Sequence, residues 1–231
     1  MDPQTLPADS QELYRQIKKQ YKVGFESLKL NDDLKLYLLK ITDLEQVLAG
    51  KDPLKNPSEF PFWIRLWEAA IVLSRFMVTL APAPGSTVLE LGAGLGAPGL
   101  TAAALGCSVT LSDYEEMILN FEQVSAAASG LDNVRFEILD WLDPPEIERY
   151  DIILGAEILF REEFFEPLLD IIRHTLKPNG TVYMAHDSKR KSVQPFLKKA
   201  EKEYNIAASR RLLKSLDEDK EILLTRLTPR S

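Results

Sequence analysis

A chain of 231 residues with 45% hydrophobic and 27% charged side chains has room for one core-bearing domain and an extension, with an ordinary globular composition. The net charge of −7 argues against a broad nucleic-acid-binding face, and a single cysteine, Cys107, excludes an internal disulfide or a cysteine zinc cluster. Two histidines, His174 and His186, leave no histidine-rich centre, so no metal is expected.

Residues 1–8 read as disordered, and with no basic stretch ahead of an apolar run they do not read as a signal peptide. Asp9 and Glu12 have capping-box spacing ahead of a helix carrying Leu13, Ile17 and Tyr21. The pattern is weakest over 22–58, where 34–41 suggests a strand, 43–49 a short helix closed by Gly50, and 51–58 a turn. A helix is expected from Phe62 to Leu80, followed by a stiff Ala-Pro-Ala-Pro-Gly linker. From Thr87 the chain alternates: strands at 87–91, 108–112, 134–139, 151–156 and 181–186, helices at 97–105, 115–129, 163–176 and 192–203. Lys177-Pro-Asn-Gly180 reads as a turn, and strands near 205–212 and 221–227 close the chain. Leu91–Ser112 is uncharged and long enough to span a bilayer, but its glycines and Pro98 make it a buried strand-turn-helix-strand unit. The expected fold is α/β: a doubly wound, mostly parallel seven-stranded sheet with helices on both faces and an N-terminal helical extension. The boundary falls between an extension, 1–58, and a catalytic domain, 59–231.

Ligands of such sheets bind at the carboxyl ends of the strands, which selects the candidate residues. The turn after the first core strand carries Gly92, Ala93, Gly94 and Gly96, glycines that allow a sharp turn and close approach to a ligand. Glu90 just before them would suit a cationic ligand and repel a pyrophosphate. Asp113, with Tyr114 beside it, ends the next strand, where a carboxylate can accept both hydroxyls of a ribose or simply cap the following helix. Asp140-Trp141 offers an acceptor and a flat wall for an adenine, or a core tryptophan and a cap. Trp67 alone reads as packing. Ala156, Glu157 and Phe160 follow the fourth core strand, where a carboxylate and an aromatic face can position a cationic nucleophile. Lys189-Arg-Lys191 reads as a solvated charge run, and His186 as a satisfied strand-end histidine.

Glu90-Leu-Gly-Ala-Gly-Leu-Gly96, Asp113 and the strand order resemble the class I, seven-β-strand S-adenosylmethionine-dependent methyltransferases over about residues 60–228, a Rossmann-like fold. Leu66-Trp-Glu-Ala-Ala-Ile-Val-Leu73, Asp140-Trp141 and Asp151-Ile-Ile-Leu-Gly-Ala-Glu157 resemble, more narrowly, the family-16 branch, rich in protein-lysine methyltransferases. The resemblance implies that Trp67, the Gly92–Gly96 loop, Asp113, Trp141 and Ala156 contact S-adenosylmethionine, with S-adenosylhomocysteine as product. Family members commonly carry Asp-x-x-Tyr after the fourth strand, where this chain has Glu157-Ile-Leu-Phe160. The expected activity is methylation of a protein lysine, by a cytoplasmic monomer with no nucleic-acid or membrane partner. The alternatives are a small-molecule N- or O-methyltransferase, a nicotinamide-dinucleotide oxidoreductase, since Gly92–Ala97 formally satisfies Gly-x-Gly-x-x-Ala, and a non-catalytic binding module.

Overall fold

A computed structural model describes residues 1–48, 61–214 and 218–230. The predicted closure of the short helix at Ala49-Gly50 and the turn at 51–58 lie outside the described residues. The N-terminal region comprises α1 (Ala8–Gln20), an antiparallel hairpin of β1 (Val23–Lys29) and β2 (Lys35–Ile41), and α2 (Leu44–Leu48). Residues 1–8 are ordered rather than disordered: Pro3–Thr5 form a turn of 3-10 helix, and Leu6 is buried. The capping box does not form. Pro7 stands at the cap of α1, and Glu12 pairs instead with Arg15 one turn on.

The hairpin is tied to the core by hydroxyls of α5 (Glu116–Ala128) and the residue that ends it: Leu39 N donates to Ser125 Oγ and Tyr37 N to Ser129 Oγ, both at 2.9 Å. β1 escaped the sequence pattern because its residues are mostly half-exposed, which blurs alternation. The helix expected from Phe62 begins later, as α3 (Glu68–Leu80). Phe62–Ile64 make a 3-10 turn instead, and Trp67 keeps an extended backbone while its indole N–H donates to Phe62 O at 2.9 Å.

The remaining strands are β3 (Thr87–Leu91), β4 (Ser108–Asp113), β5 (Val134–Ile138), β6 (Tyr150–Ala156), β7 (Leu176–Asp187), β8 (Tyr204–Leu213) and β9 (Lys220–Pro229). They form a seven-stranded sheet in the order β5-β4-β3-β6-β7-β9-β8, parallel as far as β7 and antiparallel at β9 and β8. Helices α4 (Ala97–Ala104), α6 (Phe165–Thr175) and α7 (Val193–Ala200) complete the fold. One apolar cluster packs α3 and α4 against one face of the sheet, and another packs α6 and α7 against the opposite face. Lys177-Pro-Asn-Gly180 is absorbed into β7 as an irregular lead-in: Tyr150 pairs with Leu176, but Ile152 pairs with Thr181. Lys177 Nζ, 2.9 Å from Asp151, anchors that lead-in across the strands.

The strand order reverses beside β3. Successive crossovers from β3 run outward through β4 and β5, and the chain then returns to lay β6 on the other side of β3. The crevice between the carboxyl ends of β3 and β6 is the topological switch point, where open α/β sheets bind ligands.

Candidate active site

The turn after β3 bends through three glycines in left-handed conformations, Gly92, Gly94 and Gly96, with φ of 59°, 59° and 70°. A side chain at Gly92 would lie 3.1 Å from the Trp141 ring, so a glycine here lets the loop and the indole meet. Three of the loop's amides donate within the fold: Ala93 N to Ser112 O, Gly94 N to Asp113 Oδ2, and Gly96 N to Ala93 O. Pro98 has no N–H, and Gly99 N donates to Glu90 Oε2 at 2.7 Å.

Glu90 therefore does not sit where the sequence suggested. Its side chain is buried beneath α4, caps Gly99, and does not face the crevice. Burial pushes its pKa up to about 8, partly offset by the Gly99 bond. Gly96 is likewise interior: a Cβ there would meet Leu111 at 2.9 Å and Glu122 at 3.4 Å, so its service is helix packing. Gly92, Ala93 and Gly94 form the accessible part of the turn.

Asp113 ends β4 and holds the loop, accepting Gly94 N at 2.9 Å on one oxygen and Tyr114 N at 2.9 Å on the other. Burial raises its pKa to about 6 against these bonds. Each oxygen keeps a second lone pair for a hydroxyl. Tyr114 is 58% exposed at the rim. Asp140 is exposed and accepts Leu142 N at 2.9 Å, a turn contact that leaves its outer oxygen open. Trp141 packs edge-on to Phe164, with ring centroids 5.6 Å apart, and Phe160, 48% exposed, lies 6.3 Å from the indole. An aromatic wall thus lines the crevice beside the exposed carboxylate of Asp140.

Ala156 closes β6, pairing with Ala185 of β7. Glu157 follows in a left-handed conformation, φ 59°, one of two non-glycine residues with positive φ among those described. Its N–H donates to Ala185 O, its Oε1 accepts Asp187 N at 2.6 Å, and its Oε2 lies 2.5 Å from an Arg190 guanidinium nitrogen. Desolvation raises its pKa and the Arg190 charge works against that rise. Arg190 is thus not part of a solvated charge run. No sequence pattern links positions 157 and 190; only the adjacency of β6 and β7 does. His186 is fully buried, and burial followed by the Arg190 charge lowers its pKa to about 3, which leaves it neutral.

Trp67 borders a cavity of about 130 Å³ together with Arg65, Glu157, Asp187 and Arg190. Its ring lies under the Arg65 guanidinium, 4.9 Å from the centroid. Trp63 was passed over in the sequence. Its backbone comes within 3.7 Å of where a Cβ of Gly94 would stand, and its ring packs edge-on to Phe121 at 5.0 Å. The run Phe60-Pro-Phe-Trp63 just ahead of Trp67 was the available signal. Among the described residues no group of three or more His, Cys, Asp and Glu is placed to hold a metal ion, and no helix is long and apolar enough to cross a membrane.

A seven-stranded sheet with an antiparallel β9-β8 edge, a glycine turn at its switch point and an acid at the next strand tip define a class I S-adenosylmethionine-dependent methyltransferase. The residues fit that cofactor: a buried carboxylate at the tip of the strand after the glycine turn, and an aromatic wall beside an exposed acid. The chain belongs to the lysine methyltransferase family, whose model it matches over residues 63–203. It is 32% identical to the histidine protein methyltransferase 1 homolog of Dictyostelium discoideum, over 62% of this chain and 48% of that protein. To the protein N-lysine methyltransferase METTL21A of Xenopus tropicalis it is 30% identical, over 62% of this chain and 68% of the relative. The chain thus spans from about half to about two thirds of these relatives' lengths. Among solved structures, a TehB-like methyltransferase from Corynebacterium glutamicum superposes with a TM-score of 0.55 at 21% identity, covering 68% of this chain and 87% of that one. A precorrin-6y C5,15-methyltransferase from Geobacter metallireducens gives 0.60 at 12% identity, covering 73% and 91%, a likeness of fold alone.

Proposed function

We propose that this protein transfers a methyl group from S-adenosylmethionine to a lysine side chain of a protein substrate. The observation that carries the reading is the junction of Asp113, the Gly92–Gly94 turn and Trp141 at the switch point, with Glu157 at the adjoining strand end. In this reading Gly92, Ala93, Gly94, Asp113, Asp140 and Trp141 hold the cofactor, with Tyr114, Ala156 and Trp67 bordering it. When bound, the cofactor supplies an electrophilic sulfonium methyl. The chain's own task is to seat the acceptor nitrogen, align it and exclude water, effects that account for much of the barrier lowering in bimolecular transfers. Glu157 orients the acceptor, and Phe160 and Phe164 shield it on the open side. No residue here is a strong base with the reach of a free site, so the acceptor proton passes to solvent. A cytoplasmic monomer acting on protein alone, with residues 1–58 as an extension to the catalytic unit, belongs to the same proposal.

The relatives differ in the residue their names give, histidine for one and lysine for the other, so the acceptor residue is the point to test. The purified protein is incubated with methyl-labelled S-adenosylmethionine and a fractionated lysate, and labelled protein is hydrolysed to amino acids. Label in methyl-lysine is expected. Label in methyl-histidine would replace the lysine reading while keeping the enzyme class, and label confined to small molecules would favour a metabolite acceptor. Glu157→Gln should lower transfer by about 10- to 1,000-fold, the range for losing one well-placed electrostatic contact. Its affinity for S-adenosylhomocysteine should stay within about twofold of the parent's, which calorimetry reads.

A further inference from the structure

The Glu157 carboxylate is held by two features that do not involve Arg190. Its backbone is fixed in the left-handed region by the N–H bond to Ala185 O, and its Oε1 is anchored by Asp187 N. One oxygen, Oε2, is left for a cation, in a side chain only 9% exposed. Arg190 takes that place through one nitrogen only. One of its terminal nitrogens is 2.5 Å from Oε2, a single close ion pair, and the Arg190 Nε–H is buried without a hydrogen-bond partner. A guanidinium matched to a carboxylate makes two parallel bonds, whereas this contact is single. The seat therefore suits a point cation better than the planar group in it. Arg190 also belongs to the turn between β7 and α7, so its side chain can leave without disturbing either element. The cavity of about 130 Å³ bordered by Glu157, Asp187, Arg190 and Trp67 adjoins the contact.

We infer that Glu157 forms a seat for a primary alkylammonium group, and that Arg190 is its resident occupant, a specificity-determining residue that an acceptor must displace. The inference rests on the proposed lysine acceptor and deepens it. Of the other charges around the cavity, Arg65 pairs with Glu68 at 2.6 Å and Lys220 with Glu218 at 2.8 Å, while Asp187 accepts the backbone Lys189 N. Arg190 is the cation on Glu157, and its departure exposes that carboxylate. An acceptor able to supply only weak contacts elsewhere will not displace it, and one with good contacts will.

The test is titration of n-butylammonium, a lysine side chain without its backbone, into the full-length protein at constant ionic strength, followed by ligand-observed NMR. The proteins are the parent, Arg190→Ala, Arg190→Met and Arg190→Ala/Glu157→Gln, each checked for its thermal midpoint and for S-adenosylhomocysteine binding. Either single variant should bind butylammonium at least tenfold more tightly than the parent, and the double variant should lose the gain. A folded Arg190 variant with no gain would overturn the inference, as would a gain that survives in the double variant. Failure of both Arg190 variants to fold would also overturn it, since a displaceable occupant cannot be needed for folding. Loss of S-adenosylhomocysteine binding by the parent would instead count against the methyltransferase reading, leaving the butylammonium result to decide the seat.

Discussion

At the scale of single residues, Glu90 shows how an acid at a strand tip can be an interior cap. Its pKa rises from 4.5 to about 8 through burial. Between those values the native state holds a proton that the unfolded chain has released, so stability falls as pH rises through this window. Glu90→Gln removes the titration while its amide oxygen can still accept Gly99 N. Its thermal midpoint should therefore decline less than the parent's between pH 5 and pH 8, measured by calorimetry at both. The slope should shrink rather than vanish, because burial also raises Asp113, to about 6, and Glu122, well above its ordinary value, each with the same sign. Asp113→Ala has a different effect. It deprives Gly94 N of its acceptor and removes the carboxylate proposed for the ribose, so S-adenosylmethionine affinity should drop by about 1–3 kcal/mol, the usual cost of a lost buried acceptor. An unchanged Kd by calorimetry would detach Asp113 from the cofactor.

At the scale of elements, two glycines separate packing from backbone conformation. Gly99 lies in α4 where it crosses β3 and β4, and a Cβ there would stand 2.3 Å from Leu111 and 2.7 Å from the Glu90 carboxylate. Gly99→Ala should push α4 off the sheet and cost roughly 1–3 kcal/mol in denaturant unfolding, as overpacking does. Gly130, just past α5, has φ of 71° and nothing within 4 Å of the same position. Gly130→Ala should cost only the left-handed strain, about 1–2 kcal/mol, with cofactor binding unchanged. Because α4 carries the end of the glycine turn, Gly99→Ala should weaken S-adenosylmethionine as well, and that second readout distinguishes the two variants.

At the scale of the whole molecule, the crevice brings together the turn after β3, the tips of β4, β5, β6 and β7, and the segment ahead of α3. A ligand bound there bridges both halves of the sheet and is absent from the unfolded chain. S-adenosylmethionine or S-adenosylhomocysteine at a hundredfold excess over Kd should therefore stabilise the protein by about 2.7 kcal/mol, raising the thermal midpoint. NAD should leave the midpoint unmoved, since the amides of Ala93, Gly94, Gly96 and Gly99 already donate within the fold.

The sequence by itself determined the alternation from Thr87 to Leu227, because strands buried on both faces write apolar runs and amphipathic helices write a 3.6-residue period. It also determined that the glycine turn, Asp113, Trp141 and Glu157 would share one end of the sheet, since strand tips of a parallel sheet point the same way. It did not determine where their side chains turn. Glu90 and Gly99 are nine positions apart, Glu157 and Arg190 thirty-three, and neither pair leaves a periodic trace. The delayed start of α3 depends on the Trp67 indole bond to Phe62, and the order at the N-terminus on Leu6 finding a buried place. Those were decided by the tertiary structure alone, because burial and hydrogen-bond partnership are properties of neighbours in space, not along the chain.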